Sequence, residues 1–230
     1  MGNIAIITAR GGSKRIPHKN IKEFCGKPII AYSIEAALES GIFDEVMVST
    51  DDDEIAKIAK AYGAKVPFLR SDENSNDYAT TADALKEVLF AYEKQGKNFE
   101  YACCLYPTAP FVTAEKLKSS YKMLKEKNAD ALVPVVRFSF PPQRCFVVQN
   151  EQLAYKWPEY RTARSQDLEP YYHDVGQYYM FNVDVFLKEN TLVPVNTIPY
   201  EVDEMEVQDI DNLSDWNIAE IKYEAMLNSI

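Results

Sequence analysis

The chain has 230 residues, of which 47% are hydrophobic, enough for one large domain or for one domain with a small appendage. Its formal net charge of −10 excludes broad binding of DNA or RNA, which depends on many contacts between basic side chains and phosphates. No apolar run approaches the length of a membrane span and the four cysteines have no Cys-x-x-Cys spacing, so the composition is typical of a soluble cytoplasmic protein without disulfides or zinc.

The first strand is predicted at residues 3–9, and it leads into the basic loop, residues 10–20 with the sequence RGGSKRIPHKN. The first 27 residues carry six lysine and arginine side chains against one acidic side chain, in a protein that is acidic overall. A loop that leaves the carboxyl end of a parallel strand is where open α/β sheets bind their ligands. Two glycines, a hydroxyl and four cations therefore predict a site for a small polyphosphate, and a solvated surface turn is the weaker interpretation.

Short apolar segments then alternate with amphipathic segments through residue 136. The segments that read as strands are 3–9, 45–49, 65–69, 101–105 and 131–136. The segments that read as helices are 28–40, 52–62, 81–94 and 113–127. This alternation predicts a three-layer α/β/α fold, in which helices cover both faces of a mainly parallel, Rossmann-like sheet.

The alternation stops at residue 137. Residues 137–172, which we call the excursion, contain four prolines and several aromatic residues but no helical period. So many aromatic side chains disfavour a disordered linker and predict an antiparallel flap or a dimerisation arm. We therefore expect an α/β domain built from residues 1–136 and 173–230, with a strand at 176–183 and a closing helix at 213–227.

A pair of carboxylates, Asp209 and Asp211, precedes the closing helix. In an extended segment the two side chains point to the same side, because strand side chains repeat every two residues. Two carboxylates at that spacing suit a hard divalent cation that also binds substrate phosphates. On the dipeptide alone, Asp211 as the cap of the helix is the better interpretation; beside a polyphosphate loop, the metal interpretation becomes the stronger one.

The other polar signals restrict the chemistry. With only two histidines, a His-rich metal site is impossible and a Ser-His-Asp triad is hard to build, while the basic loop matches neither Walker A nor the dinucleotide fingerprint. Arg70, at the end of a predicted strand, is a candidate phosphate or base contact, and Arg164 and Gln177 are candidates for a substrate carboxylate. Asp51 and Asp52 read as a helix cap. A non-Walker loop with a paired-aspartate site is suited to nucleotidyl transfer.

Several motifs together resemble one family, the cytidylyltransferases that activate nonulosonic (sialic-acid-like) sugars as CMP derivatives. They lie in order along nearly the whole chain, at residues 9–20, 26–28, 48–51, 106–110 and 209–211. Within that family, residues 139–143 and 164–174 most resemble the pseudaminic acid cytidylyltransferases. The resemblance implies the nucleotide-diphospho-sugar transferase type of α/β fold.

The resemblance also implies residue roles. The CTP triphosphate would be bound by Arg10, Gly11, Ser13, Lys14, Lys19 and Asn20, with Arg70 and Thr81 helping to hold the nucleotide. Asp209 and Asp211 would hold Mg²⁺, and Arg10, Lys19 and the two aspartates would carry catalysis. The sugar pocket would be lined by Tyr106, Gln143, Arg164, Gln177 and Tyr179, and the excursion would form a homodimer and reach toward the partner's active site.

Two positions depart from the sialic-acid enzymes of this family. Arg15 stands where they usually have glycine, and Tyr106 stands where they usually have glutamine, a change near the sugar that argues against N-acetylneuraminate. N-acetylneuraminate, legionaminate and 3-deoxy-manno-octulosonate stay open as alternative sugars. A non-catalytic nucleotide-binding scaffold is the alternative from another class, and binding of nucleic acid by the basic loop is remote at a net charge of −10.

Overall fold

The computed structural model describes residues 2–228, in which strands and helices alternate along most of the chain. Its α-helices are α1 (Ile29–Ser40), α2 (Asp53–Ala61), α3 (Thr81–Glu93), α4 (Ala114–Glu126), α5 (Val183–Glu189) and α6 (Leu213–Leu227). Its strands are β1 (Gly2–Thr8), β2 (Glu23–Phe24), β3 (Lys27–Pro28), β4 (Glu45–Ser49), β5 (Phe99–Leu105), β6 (Ala131–Arg137), β7 (Phe146–Gln149), β8 (Gln152–Tyr155), β9 (Tyr172–Asp174), β10 (Tyr178–Asn182) and β11 (Thr197–Glu201).

The central sheet has the strand order β11-β6-β10-β5-β1-β4, and β9 pairs with β6 off this path. The pairs β1–β4, β1–β5 and β6–β11 are parallel, whereas β10 is antiparallel to both of its neighbours. The predicted α/β fold with a mainly parallel sheet is therefore confirmed, with one reversed strand at its centre.

Residues of β1 show how the sheet separates two helical layers. Ala5 and Ile7 are buried in a cluster with α1 and α4, while Ile4 and Ile6 are buried in a second cluster with α3 and α5. Successive side chains of a strand point to opposite faces, so a strand covered on both faces is apolar at every position. Because helices cover both faces, a ligand can reach the sheet only at its edges, and open α/β sheets bind ligands at the loops that follow the carboxyl ends of the strands.

The predicted elements mostly agree with the observed ones to within two residues, but the strand expected at residues 65–69 is wrong. Lys65 alone bridges to Met47 of β4, and residues 66–69 form no strand. Pro67 cannot donate to a strand ladder, which explains why the pairing stops there. The short helix α5 and strand β11 were not predicted.

The excursion leaves the sheet after β6 and returns at β9, which pairs back onto β6 in antiparallel fashion. Inside it, β7 and β8 form an antiparallel hairpin. The hairpin turn places Asn150 and Glu151 at φ 50° and 62°. Several apolar side chains of the excursion are exposed, including Phe140 at 87% and Val148 at 71%. Its role in dimerisation stays a prediction.

Within residues 2–228, no helix combines the length and the hydropathy that a membrane span needs.

Candidate active site

A small core cluster brings the basic loop and the aspartate pair together. Ile16 of the loop and Ile210, between the two aspartates, are both buried against Trp216 of α6. Because each isoleucine points into the core, the charged neighbours Arg15 and Asp211 reach the surface side by side. Burying these apolar side chains thus positions polar residues that are almost 200 positions apart in the sequence.

Backbone and amide contacts order the basic loop itself. The amide N–H of Gly11 donates to Asp51 Oδ1 at 2.9 Å, and Asn20 Nδ2 donates to the Arg10 carbonyl oxygen at 2.8 Å. Asn20 is 5% exposed, so it braces the loop from beneath. The predicted cap is also confirmed in part: Asp52 accepts from two N–H groups at the start of α2.

Two cations of the loop converge on one carboxylate that the sequence did not single out. Arg10 Nη1 lies 3.0 Å from Asp77 Oδ1, and Lys14 Nζ lies 2.5 Å from Asp77 Oδ2. These bonds lower the pKa of Asp77, because they stabilise its ionised form. Asp77 holds the two basic side chains at the rim of a cavity.

That cavity has a volume of about 390 Å³ and is walled by the basic loop, by residues 106–108 and by Asp211. A second space of about 250 Å³ shares Thr8, Arg10 and Tyr106 with it and extends to Arg70 and Thr81. We call the two together the cleft. Its first part is lined mainly by cations, and its second part combines neutral polar groups with Arg70 and Asp77, an arrangement suited to a polyphosphate joined to a nucleoside.

Lys19 lies at the base of the cleft. Its Nζ donates to the carbonyl oxygen of Ile210 at 2.7 Å. Burial lowers the pKa of Lys19 because it disfavours the charged ammonium, and the nearby carboxylates of Asp211 and Asp209 oppose that shift. A partly desolvated cation pointing into a cavity is a strong electrostatic contact for a phosphate.

The two aspartates line different cavities. Asp211 faces the cleft, where its Oδ1 lies 2.7 Å from Arg15 Nη2. Asp209 lines a neighbouring cavity of about 440 Å³, together with Asp174 and Lys222. The expectation that both point to one side stays a prediction: residues 208–211 are not in a strand, although both carboxylates lie close enough to Lys19 to oppose the lowering of its pKa by burial.

The alternative role for Asp211, as the cap of α6, is wrong. Asn212 is the N-cap and accepts from Ser214 N and Asp215 N. Asp215 completes a capping box and also accepts from the N–H of Asp211, at 2.9 Å. The helix start therefore fixes the backbone of Asp211 while leaving its carboxylate for other contacts.

The donor set at this point fits a divalent cation that is shared with a substrate. Within residues 2–228, Asp, Glu, His and Cys side chains form no cluster of three that could hold a metal ion alone. Mg²⁺ is usually bound by one or two carboxylates and completed by water and phosphate oxygens. Asp211 in the cleft and Asp209 beside it supply such carboxylates.

Arg70 and Thr81, which the resemblance implies to help hold the nucleotide, lie in the second part of the cleft. Arg70 is 8% exposed, and its Nε and Nη2 donate to Ser49 Oγ and the Ser49 carbonyl oxygen. Burial lowers the pKa of Arg70, opposed chiefly by the carboxylate of Asp51. Two of its donors thus brace the end of β4. Thr81 opens α3, and its hydroxyl lies 3.5 Å from Tyr106 Oη.

Tyr106 lines the cleft, and Gln177 and Tyr179 lie directly behind it, where the Tyr106 N–H donates to the Gln177 carbonyl oxygen at 2.9 Å. The rings of Tyr106 and Tyr179 meet edge to face at 6.0 Å, and Tyr179 Oη donates to Asp174. Gln177 Nε2 donates to the Glu206 carbonyl oxygen at 2.7 Å, while its buried Oε1 has no hydrogen-bond partner among the described residues. Asp174 raises the pKa of both tyrosines, although burial has the larger effect. Sequence reasoning gave Asp174 no role.

Gln143 and Arg164 lie in the excursion, and neither is among the described residues that line the cleft. Gln143 is buried there and donates to the Glu169 carbonyl oxygen at 2.8 Å. Arg164 is exposed and pairs with Asp167 at 2.7 Å. A single copy of the chain therefore does not bring these two residues to the other candidates.

Replacing Gly11 by alanine is expected to destabilise the protein and weaken nucleotide binding. A Cβ there would lie 2.8 Å from Asp52 Oδ2 and 2.9 Å from Asp52 Cβ, which the α2 cap holds in place. Overpacking of this kind costs about 1–3 kcal/mol, measurable by urea unfolding. Gly12→Ala is the matched control, because its Cβ would meet nothing within 4 Å. Equal stability of the two variants would contradict this explanation.

An α/β sheet with a nucleotide-sized cleft, a cationic loop without a Walker motif and adjoining carboxylates defines a nucleotidyltransferase. Residues 4–226 match the family model described as cytidylyltransferase. The chain belongs to the cytidylyltransferase family, and the resemblance drawn from its motifs is confirmed. Members of this family generally use a divalent metal ion.

Curated relatives cover nearly the whole chain. The chain is 41% identical over 224 residues to a pseudaminic acid cytidylyltransferase of Campylobacter jejuni, with 97% of each chain covered. It is 33% identical to a CMP-N,N'-diacetyllegionaminic acid synthase of Legionella pneumophila, with 94% of each covered. The solved structure of a CMP:2-keto-3-deoxy-manno-octonic acid synthetase complexed with CTP has a TM-score of 0.71, at 20% identity and full coverage of both chains. That likeness confirms the fold.

Proposed function

We propose that this protein transfers the cytidylyl group of CTP to a nonulosonic acid, pseudaminic acid, and releases pyrophosphate. The observation that carries the proposal is the cleft, in which one cavity joins the cations of the basic loop to Asp211. The choice of pseudaminic acid is supported by the 41% identity with the Campylobacter jejuni enzyme over nearly the full chain.

The basic loop would bind the triphosphate. Arg10, Lys14 and Lys19 supply the positive charge, and the wall of the same cavity includes Ser13 and Asn20. Gly11 keeps the loop close to β4, as its contact with Asp51 requires. The nucleoside would then lie in the second part of the cleft, against Arg70 and Thr81. Release of pyrophosphate leaves negative charge at the position where these cations converge.

Asp209 and Asp211 would hold Mg²⁺ together with oxygens of the triphosphate. Such an ion lowers the pKa of a nearby hydroxyl and offsets charge on the leaving pyrophosphate. The family's use of a divalent metal supports this assignment, and the donor set of two carboxylates fits Mg²⁺ in particular.

The sugar would lie beyond Tyr106, on the side of Tyr179 and Gln177. Its anomeric hydroxyl attacks the α-phosphorus of CTP in line with the leaving pyrophosphate, so the main task of the protein is to position both substrates. The buried Oε1 of Gln177, which has no hydrogen-bond partner among residues 2–228, would be an acceptor for a substrate hydroxyl. Lys19, at the base of the cleft, stabilises the charge that develops on the α-phosphate.

The excursion would join two copies of the chain in a homodimer. Its exposed apolar side chains, among them Phe140, Val148 and Leu153, form the kind of surface that a partner covers. Gln143 and Arg164 lie in this excursion, outside the cleft of their own chain. In a dimer they would belong to the partner's site, where Arg164 suits the carboxylate of the sugar.

A pyrophosphate-release assay that crosses the four ribonucleoside triphosphates with several nonulosonic acids tests the proposal. We expect release only with CTP, and fastest with pseudaminic acid. A preference for N-acetylneuraminate, legionaminate or 3-deoxy-manno-octulosonate would reject pseudaminic acid as the substrate. Binding of CTP without turnover of any of these sugars would instead favour the nucleotide-binding scaffold.

A further inference from the structure

An ion pair closes the cleft between the basic loop and the aspartate pair. Arg15 Nη2 lies 2.7 Å from Asp211 Oδ1, and both side chains line the same cavity. The roles proposed above use Asp211 as a metal ligand and leave Arg15 without one. Arg15 therefore occupies the Asp211 carboxylate that the proposed metal ion needs.

The neighbouring cations are engaged differently. Arg10 and Lys14 are bound to Asp77, on the rim, and Lys19 is bound to the carbonyl oxygen of Ile210. None of these contacts blocks Asp211. Among these four cations of the loop, Arg15 is the one that forms an ion pair with a candidate metal ligand.

The ion pair between Arg15 and Asp211 is weak enough for each side chain to change partners. The side chains of Arg15 and Asp211 are 68% and 43% exposed, and exposed ion pairs are weak because water solvates both charges. Arginine stays protonated at all ordinary pH values, so it leaves the carboxylate only by moving. A divalent cation delivered with a triphosphate can displace it at small cost.

We propose that Arg15 is a substrate-binding residue that holds Asp211 until the nucleotide arrives, and then moves to the triphosphate. This inference rests on the proposed function. In the free protein the guanidinium neutralises Asp211 and weakens binding of a metal ion on its own. In the complex Asp211 would hold the metal ion, and the freed guanidinium, already in the cavity, would pair with phosphate oxygens in bidentate geometry.

The test measures two affinities in one variant. In Arg15→Ala, we expect Mn²⁺ without nucleotide, titrated by electron paramagnetic resonance, to bind about 2–5-fold more tightly, the range that loss of a weak exposed ion pair allows. We expect CTP with Mg²⁺, titrated by calorimetry, to bind about 10-fold more weakly, because a charge-assisted contact is lost. A merely structural role would weaken both.

Two further variants make the outcome decisive. Lys14→Ala removes a charge from the same loop but from a different carboxylate, and should leave Mn²⁺ affinity within about twofold. Asp211→Asn should weaken Mn²⁺ binding; if it does not, the metal assignment in the proposed function fails. If Asp211→Asn weakens Mn²⁺ binding but Arg15→Ala changes neither affinity, or changes both in the same direction, the inference about Arg15 is overturned.

Discussion

Asp211→Ala is expected to reduce kcat about 10³-fold, the effect of losing several kcal/mol of transition-state stabilisation from a bound metal ion. The carboxylate faces the cleft, and the start of α6 holds its backbone without using its side chain. Its removal leaves the proposed metal ion with Asp209 as its only carboxylate ligand of the pair. Steady-state pyrophosphate release with saturating CTP and sugar measures the change.

Asn212→Ala is the control for this variant. It removes the N-cap of α6 and costs about 1 kcal/mol of stability, but it keeps the Asp211 carboxylate. We expect its kcat to stay within about threefold of the natural protein, since surface changes away from reacting groups have small effects. If the two variants lose activity equally, the effect acts through the helix start, and the metal assignment is wrong. If Asp211→Ala keeps full activity, the assignment is wrong as well.

The alternation of segments was sufficient to predict the fold, because a sheet covered on both faces needs strands that are apolar throughout. The antiparallel direction of β10 could not be predicted from this pattern, because a buried strand is apolar throughout whichever way it runs. The strand expected at residues 65–69 is wrong because the apolar residues there predict a strand, whereas Pro67 lacks the N–H that would continue the pairing. The helix α5, with seven residues, is too short to show a period.

Much of the candidate site was predicted from residue type alone. Glycines, cations and paired carboxylates carry their chemistry in the sequence, and the structure brings Arg10, Lys19 and Asp211 into one cavity. The partners of these groups could not be predicted. Asp77 lies 67 residues from Arg10 and Asp211 lies 196 residues from Arg15, so these pairs exist only once the chain has folded.

The buried cluster around Trp216 explains how distant groups acquire a common geometry. Ile16 and Ile210 each lie next to a charged residue in the sequence, and a sequence pattern alone gives them no role. Their burial against α6 fixes which neighbours point outward. The backbone of the site is therefore held by this part of the core, even though most of its charged side chains are exposed.

Lys19→Met is expected to lower kcat by about 10²–10³, the usual cost of removing one preorganised charge-stabilising group. Methionine keeps the length of the side chain but loses the ammonium that donates to the Ile210 carbonyl oxygen and faces the cleft. Burial already lowers the pKa of Lys19, so a neutral side chain relieves a desolvation cost, and we expect the variant to stay folded. Steady-state kinetics and thermal unfolding measure the two effects separately.

Lys22→Met is the matched control, because Lys22 carries the same charge in the same segment but packs over the Trp216 ring, 4.2 Å from its centroid. We expect its kcat within about twofold of the natural protein, and an equal loss in both variants would point to the segment's packing rather than to the ammonium.

The pH dependence separates the charge of Lys19 from its shape. Because burial lowers its pKa below 10.5, Lys19 loses its proton at a lower pH than an exposed lysine, and kcat falls as the pH rises through that value. Lys19→Arg keeps a positive charge that cannot titrate in this range. Whatever activity the arginine variant retains should therefore persist to higher pH. If kcat of the arginine variant falls at the same alkaline pH as kcat of the natural protein, another group causes that fall. Lys19 would then be a binding residue without a role in stabilising the transition state.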